Sequence, residues 1–85
     1  MAELTSMMNI GKEMAKKLTT VGIDSAEKLT ELGSEQAFLK LKEVFPRVCL
    51  VHLYTLEGAI QCTEFHHLSE EKKQELKRFN DLLKG

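Results

Sequence analysis

The sequence predicts an all-α protein, a compact domain of about five helices. Apolar residues recur three or four positions apart through most of the chain, which is the spacing of one helix face. Residues 48–54 combine β-branched and aromatic side chains as a strand would, but no other segment alternates with period two to pair with them. With 85 residues, 42% of them hydrophobic, the chain can build one core, so we expect residues 1–85 to form a single domain.

The N-terminal half is predicted to resemble a helix-hairpin-helix arrangement. A short helix over residues 2–8 leads into an Asn-Ile-Gly turn at residues 9–11, where Asn and Gly tolerate positive φ. A second helix follows over residues 11–21 and ends at Gly22. Its apolar stripe consists of Ile10, Met14, Leu18 and Val21.

Two short helices are predicted in the middle of the chain. Asp24 is expected to cap the first, with Glu27 three residues later completing a capping box, and Gly33 ends it. Ser34 is expected to cap the second, which ends before Pro46 because a residue preceding proline is disfavoured in helical geometry. The apolar residues that should face the core from these helices are Ala26, Leu29, Leu32, Phe38, Leu41 and Phe45.

The C-terminal half is predicted to contain two longer helices. Residues 48–62 are apolar nearly all round, which is typical of a central helix packed on several sides. Gly58 in its interior lowers helix propensity by about 1 kcal/mol, so we expect another helix to cross closely there. Ser69 should cap the last helix, with Glu70 and Glu71 in its first turn. The buried stripe of that helix consists of Leu76, Phe79 and Leu83.

The turn at residues 9–12 is the candidate nucleic-acid site. Unpaired N–H groups at a helix start, together with the positive end of the helix dipole, form an anion site, and Lys12 and Lys16 stand one turn apart beside it. The alternative is a helix corner that only packs, and Glu13 among the lysines favours that alternative. The predicted phosphate-binding residues are Asn9, Ile10, Gly11, Lys12 and Lys16.

The charge of the whole chain limits this site. The net charge is −1 and the sequence pI is about 6.3, whereas dedicated nucleic-acid-binding domains are usually strongly basic. Contacts to phosphates alone carry no sequence information. Any DNA binding is therefore expected to be weak and sequence-independent, with a dissociation constant of about 10⁻⁴ to 10⁻⁶ M.

Glu57 is the candidate partner-binding residue. A carboxylate within an apolar helix needs a partner or hydrogen bonds, and Glu57 can point to water, bond to a helix start or meet another protein. The last alternative gives a second hypothesis, a protein interaction module that docks on a transcription or competence factor. If one face of the central helix stays uncovered, a homodimer would bury it.

No catalytic, metal or cofactor site is predicted. The residues of zinc-binding type are Cys49, His52, Cys62, His66 and His67. On one helix Cys49 and Cys62 would stand about 20 Å apart, whereas zinc ligands converge on one ion. A thiolate pair of Cys49 and His52 is less favoured than inert packing of the thiol in an apolar helix. No nucleophile lies in a recognisable elbow or glycine-rich loop, so we expect a protein that is not an enzyme.

Localisation is predicted to be cytoplasmic. The longest apolar-rich stretch, residues 48–60, is shorter than the roughly 20 apolar residues of a membrane span. The first residues lack the basic and apolar regions of a signal peptide. Two cysteines in such a chain are expected to be free thiols in a reducing compartment.

Three segments in order resemble a known family. They are N-I-G followed by A-x-x-L-x-x-x-G-I, then L-Y-x-L-E-G-A-I at residues 53–60, and an aromatic residue followed by L-S-E-E-K at residues 68–72. Together they resemble the C-terminal domain of the TfoX/Sxy bacterial competence regulators over nearly the whole chain. The matching positions are Asn9, Ile10, Gly11, Ala15, Leu18, Gly22, Ile23, Leu29, Leu53, Tyr54, Leu56, Glu57, Gly58, Ala59 and Ile60.

The resemblance implies an all-helical domain and a link to DNA transformation. Regulators of this family act on transcription together with the catabolite-activator protein and also carry an N-terminal domain, for which residues 1–85 offer no counterpart. We therefore expect a stand-alone C-terminal-type domain. Two positions depart from the family pattern. Phe65 stands where tryptophan is usual, and Cys62-Thr63-Glu64 replaces a more basic or glycine-containing link.

Overall fold

The protein folds as five α-helices and two single 3-10 turns in the computed structural model, which describes residues 3–84. No strand occurs within those residues, so the all-α prediction is confirmed. The helices are α1 Lys12–Thr20, α2 Ala26–Leu32, α3 Ser34–Val44, α4 Leu50–Gln61 and α5 Glu70–Lys84. The 3-10 turns are Leu4–Ser6 and Phe65–His67.

The helix predicted before the hairpin is wrong for the residues described. Of the predicted range 2–8, Ala2 lies outside the described residues. The rest forms only the 3-10 turn Leu4–Ser6, and Met7 is extended with φ −79° and ψ 144°. The Ser6 hydroxyl donates to the Glu3 carbonyl over 2.6 Å. Serine side chains that bond to the local backbone compete with helix formation, so a single turn replaces the first helix.

Both short middle helices are present, but their starts differ from the prediction. α2 is capped by Ser25, whose hydroxyl accepts from the Lys28 N–H over 3.2 Å, whereas Asp24 is exposed one residue earlier. The N-cap of α3 is Gly33 with φ 90°, and Ser34 is the first residue of that helix. The predicted caps Asp24 and Ser34 are therefore wrong, because buried Ser25 lies closer to the helix and the Ser34 hydroxyl bonds elsewhere.

α4 is the central helix that the apolar stretch predicted. Its residues Leu53, Leu56 and Ala59 are at most 1% exposed. At its C-terminus Cys62 is left-handed with φ 57°, and the Thr63 N–H donates back to the Gly58 carbonyl over 2.9 Å. This is the bonding of a Schellman ending, in which the left-handed residue is usually glycine.

The close approach predicted at Gly58 is made by loop segments, not by another helix. A Cβ at Gly58 would lie 2.6 Å from the Asn9 side-chain nitrogen, 2.7 Å from the Thr63 carbonyl oxygen and 3.1 Å from the Phe65 Cα. The prediction of a tight approach is thus correct in position and wrong in partner. The hairpin and the segment after α4 both pack against the backbone of α4 at this glycine.

α5 begins as predicted. The Ser69 hydroxyl accepts from the Lys72 N–H over 3.2 Å, and Glu70 and Glu71 lie in the first turn. Leu76 is 1% exposed and joins the core. That core comprises Leu4, Ile10, Met14, Leu18, Ile23, Leu29, Ala37, Phe38, Leu41, Val48, Leu53, Leu56, Ala59, Leu68 and Leu76.

Candidate functional site

The hairpin before α1 is fixed by Asn9. Its backbone is left-handed with φ 72°, and its side-chain amide donates to the Thr63 carbonyl over 2.9 Å. Gly58 leaves the space that this amide occupies. Asn9 is therefore committed to holding the hairpin against the end of α4.

Ile10 anchors the other side of the turn. Its side chain is 5% exposed and lies in the core. Its N–H group donates to the Met7 carbonyl over 3.3 Å. Of the residues predicted to bind phosphate, Asn9 and Ile10 thus support the turn from within, and the remaining three face solvent.

The start of α1 offers unpaired donors. Gly11 is the N-cap, is extended with φ −92° and has no side chain that could cap the helix. The first backbone bond of the helix runs from the Ala15 N–H to the Gly11 carbonyl over 3.0 Å. The N–H groups of Lys12 and Glu13 precede that bond and have no acceptor within the helix.

Two predicted lysines stand beside these donors. Lys12 and Lys16 are exposed and four residues apart on α1, which places them on the same side of the helix. Glu13 is exposed in the same turn, so the acid noted in the sequence also lies near the helix start. Gly11, Lys12 and Lys16 are the predicted site residues that the fold leaves accessible together.

A basic cleft on the next face of α1 was not predicted. It has a volume of about 360 Å³ and is lined by Lys17, Val44, Phe45, Pro46, Arg47, Val48 and His52. The Lys17 ammonium lies 5.8 Å from the centroid of the Phe45 ring. Burial, and secondly the charge of Lys17, lower the pKa of His52 from its usual value. Arg47 adjoins Pro46 in sequence, but only the fold brings it beside α1.

Glu57 bonds to a helix start. Its carboxylate accepts from the Ser34 hydroxyl over 2.5 Å and from the Gln61 side-chain amide. Ser34 is the first residue of α3 and is 4% exposed. Of the three alternatives for Glu57, bonding to a helix start is the one that the structure shows.

Glu57 also lines a polar cavity of about 220 Å³ between the start of α3 and α5. Lys72 stands at this cavity and pairs with Glu75 over 3.2 Å. The pKa of Lys72 is raised mainly by its hydrogen bond to Glu75 and in part by the charge of Glu57. The cavity is therefore lined by both acidic and basic side chains.

Both cysteines are free thiols, as predicted, and both are exposed. The expectation that Cys49 packs inertly in an apolar helix is wrong, because Cys49 is the N-cap of α4 and lies at the surface. Its sulfur is 3.4 Å from His52 Nδ1, which also accepts from the Cys49 N–H over 3.1 Å. Cys62 lies at the opposite end of α4.

α4 exposes little apolar surface that a second copy of the chain could cover. Val51 in its first turn is 52% exposed, whereas Leu53, Leu56 and Ala59 are buried. Other large apolar side chains at the surface are Met8, Val44 and Leu82. The homodimer stays a prediction. Within residues 3–84 no helix is both long and apolar enough to cross a membrane.

The residues described form an all-helical unit around one core, with an exposed helix start and polar clefts, and this is the class of small all-α domains. The chain is a member of the TfoX C-terminal domain family, whose profile matches residues 1–80. This family is of a regulatory type and is not an enzyme family. The resemblance seen in the sequence is confirmed.

Two solved structures from Listeria monocytogenes are similar to this chain. The first is an uncharacterised protein in a triclinic crystal form, 43% identical, with a TM-score of 0.96 over 99% of this chain and 96% of that chain. The second is a protein of unknown function in a tetragonal form, 42% identical, with a TM-score of 0.93 over 95% of this chain and 99% of that chain. A comparison with curated proteins gave no significant match.

Proposed function

We propose that this protein is a cytoplasmic, non-enzymatic regulatory module linked to competence for DNA transformation, and that it binds the DNA backbone weakly and without sequence preference. The observation that carries the proposal is the open start of α1. The N–H groups there have no helical acceptor, and the exposed side chains of Lys12 and Lys16 flank them. Membership of the TfoX C-terminal domain family supports the link to competence.

The hairpin supports phosphate binding because some of its residues fix the turn while others face solvent. Asn9 and Ile10 hold the turn through a hydrogen bond to Thr63 and burial in the core. Gly11 brings the backbone to the surface without a side chain in the way. A phosphate at this position would accept from the backbone N–H groups, while Lys12 and Lys16 supply the charge.

The test is a titration of isotope-labelled protein with a short DNA duplex at low and physiological salt. We expect amide shifts confined to residues 8–17 that weaken as salt rises. The DNA association constant falls as salt rises, and the slope of its logarithm against log salt should become about two less steep in a Lys12→Ala, Lys16→Ala double variant. The reason is that each lysine is expected to neutralise one phosphate charge. The exposed lysines 40 and 77 on α3 and α5 provide a matched double-alanine control that should keep the full slope.

Gly11→Asp tests the helix start itself. Nothing lies within 4 Å of a Cβ at Gly11, and aspartate is a preferred N-cap, so the variant should fold. Its carboxylate would occupy the free N–H groups and repel phosphate, and DNA binding should be lost. Unchanged DNA affinity in this variant would reject the proposal.

A second candidate is a protein interaction adaptor without direct DNA binding, which docks on a transcription or competence factor. The observation that favours it is the half-buried Glu57 on a cavity that Lys72 also lines. Glu57→Gln keeps an acceptor for the Ser34 hydroxyl but removes the charge. A partner captured from the native host by the wild type and lost with Glu57→Gln would support the adaptor. Identical captures by the two proteins would contradict it.

A further inference from the structure

We propose that Glu64, His66 and His67 form a surface binding site for a divalent transition-metal ion of the Zn²⁺ class. The three side chains lie on the link between α4 and α5, which the Asn9 amide contacts at the Thr63 carbonyl. Their ligand atoms all lie within 4.8 Å of one another. Among residues 3–84 they form the one such group of histidine, cysteine or acidic side chains. The site is independent of the proposed DNA binding.

The distances match those between ligands of one ion. Glu64 Oε2 lies 3.1 Å from His66 Nε2 and 3.6 Å from His67 Nδ1. Two ligand atoms that are each about 2.1 Å from a tetrahedral ion lie about 3.4 Å apart. The two imidazole rings, whose centroids are 4.3 Å apart, are both exposed, so they have room to rotate and complete the set.

The backbone that carries the ligands is held in place. The His67 N–H donates to the Glu64 carbonyl over 2.9 Å, which closes the 3-10 turn. The Lys73 ammonium donates to the His66 carbonyl over 3.2 Å. On the other side the Thr63 carbonyl receives the Asn9 amide. Anchors before and after the ligands reduce the entropy lost when an ion binds.

The donor set selects the type of ion. Two imidazoles favour zinc, copper, nickel or iron over magnesium and calcium, which prefer oxygen ligands. Three protein ligands leave at least one coordination position for water. The Lys73 ammonium, which bonds to the His66 carbonyl, would oppose the charge of the ion, but it is also 3.9 Å from Glu70 and is thereby partly neutralised.

Ion pairing between Glu64 and the two imidazoles would produce the same distances without a metal. The two possibilities differ in their response to added zinc. Calorimetric titration of tag-free protein with Zn²⁺ alone near neutral pH should give one saturable site per chain. Glu64→Gln and His66→Ala should each weaken it at least about tenfold, because even loss of an outer-shell partner costs about 10- to 100-fold in metal affinity.

Two control variants identify the ligands. His52→Gln removes an imidazole elsewhere, and a Cys49→Ser, Cys62→Ser double variant removes both thiols. Both should retain the wild-type affinity. All four sets of side chains are at least partly exposed, and circular dichroism verifies that each variant is folded. The proposal would be overturned by absence of saturable binding, by wild-type affinity in the Glu64 and His66 variants, or by loss of binding when the thiols are removed.

Discussion

At the scale of single residues, one contact explains two separate sequence motifs. The Asn-Ile-Gly turn supplies Asn9, and the L-E-G-A-I segment supplies Gly58. The Asn9 amide fits against α4 because Gly58 has no side chain, and it reaches the Thr63 carbonyl there. The absence of a side chain at Gly58 therefore permits the hydrogen bond that holds Asn9.

Gly58→Ala should destabilise the fold by about 1–2 kcal/mol. Overpacking of a tight site costs about 1–3 kcal/mol, and the better helix propensity of alanine offsets at most about 1 kcal/mol. Asn9→Gly keeps the positive φ but loses one hydrogen bond, worth about 1 kcal/mol. Denaturant unfolding of both single variants and the double variant measures the coupling.

The double variant should lose less stability than the sum of the single variants, by about 0.5 kcal/mol or more. Removing the Asn9 amide takes away the atom closest to the new Cβ, whereas the Thr63 carbonyl still opposes it. Strict additivity would show that the two residues do not act on one contact.

His52 gives the stability a predictable dependence on pH. Burial, and secondly the charge of Lys17, lower its pKa in the folded state below the usual 6.5, so the unfolded chain binds the proton more tightly. The stability that this residue contributes is present above pH 6.5 and is lost as the pH falls below it. Protonation also removes the acceptor for the Cys49 N–H.

His52→Gln should therefore reduce the loss of stability between about pH 7.5 and pH 5. Glutamine at this third helical position still accepts a hydrogen bond from the N-cap N–H but does not titrate. Unfolding curves across this range, compared with the wild type, provide the measurement. Equal slopes in the two proteins would assign the pH dependence to other groups.

At the scale of elements, the helix ends decide how the chain turns. α4 ends at left-handed Cys62, which is where the sequence departs from a glycine-containing link in the family pattern. The Schellman bond from the Thr63 N–H to the Gly58 carbonyl is retained despite the Cβ. The ending is therefore imposed by the contacts of residues 63–65 with α4.

Cys62→Gly should stabilise the protein by about 0.5 kcal/mol. A left-handed residue with a Cβ costs about 1–2 kcal/mol, and the greater freedom of glycine in the unfolded chain offsets about 0.5–1 kcal/mol of that gain. Cys62→Ala is the matched control, because it also removes the thiol but keeps the Cβ. An equal gain in the alanine variant would attribute the effect to the thiol.

At the scale of the whole molecule, the net charge of −1 means that any attraction to DNA comes from the local arrangement of charges. Screening limits interactions between exposed charges to about 10 Å at 0.1 M salt. The start of α1 combines the helix dipole with Lys12 and Lys16, and Glu13 opposes them within its first turn. Acids on α5 should be too well screened to matter.

Glu13→Gln should tighten DNA binding about two- to fivefold, which corresponds to the 0.3–1 kcal/mol of a charge at a helix terminus. Glu71→Gln changes the total charge equally, but on exposed α5, and should leave the affinity nearly unchanged. Fluorescence anisotropy with a labelled duplex compares the two. Equal gains would indicate that total charge, not the helix start, controls the binding.

The sequence by itself determined the helices from α1 to α5, the hydrophobic core and the family, but not the 3-10 turn before α1. Spacing of apolar residues, Ser69 before α5 and Pro46 after α3 act over a few neighbouring positions, so local patterns are sufficient to predict them. The same local signals predicted the wrong caps for α2 and α3. Buried Ser25 caps α2 in place of Asp24, and the Ser34 hydroxyl bonds to Glu57 of α4 and does not cap α3.

Only the tertiary structure decided which contacts the candidate site residues make. Asn9 bonds to Thr63 across 54 positions and Ser34 bonds to Glu57 across 23, and no periodicity encodes such pairs. The fold likewise places Arg47 beside α1 and turns Glu64 toward His66 and His67. The physical reason is that periodicity reports which face of a helix is buried, whereas the partner of a polar group depends on how the helices pack.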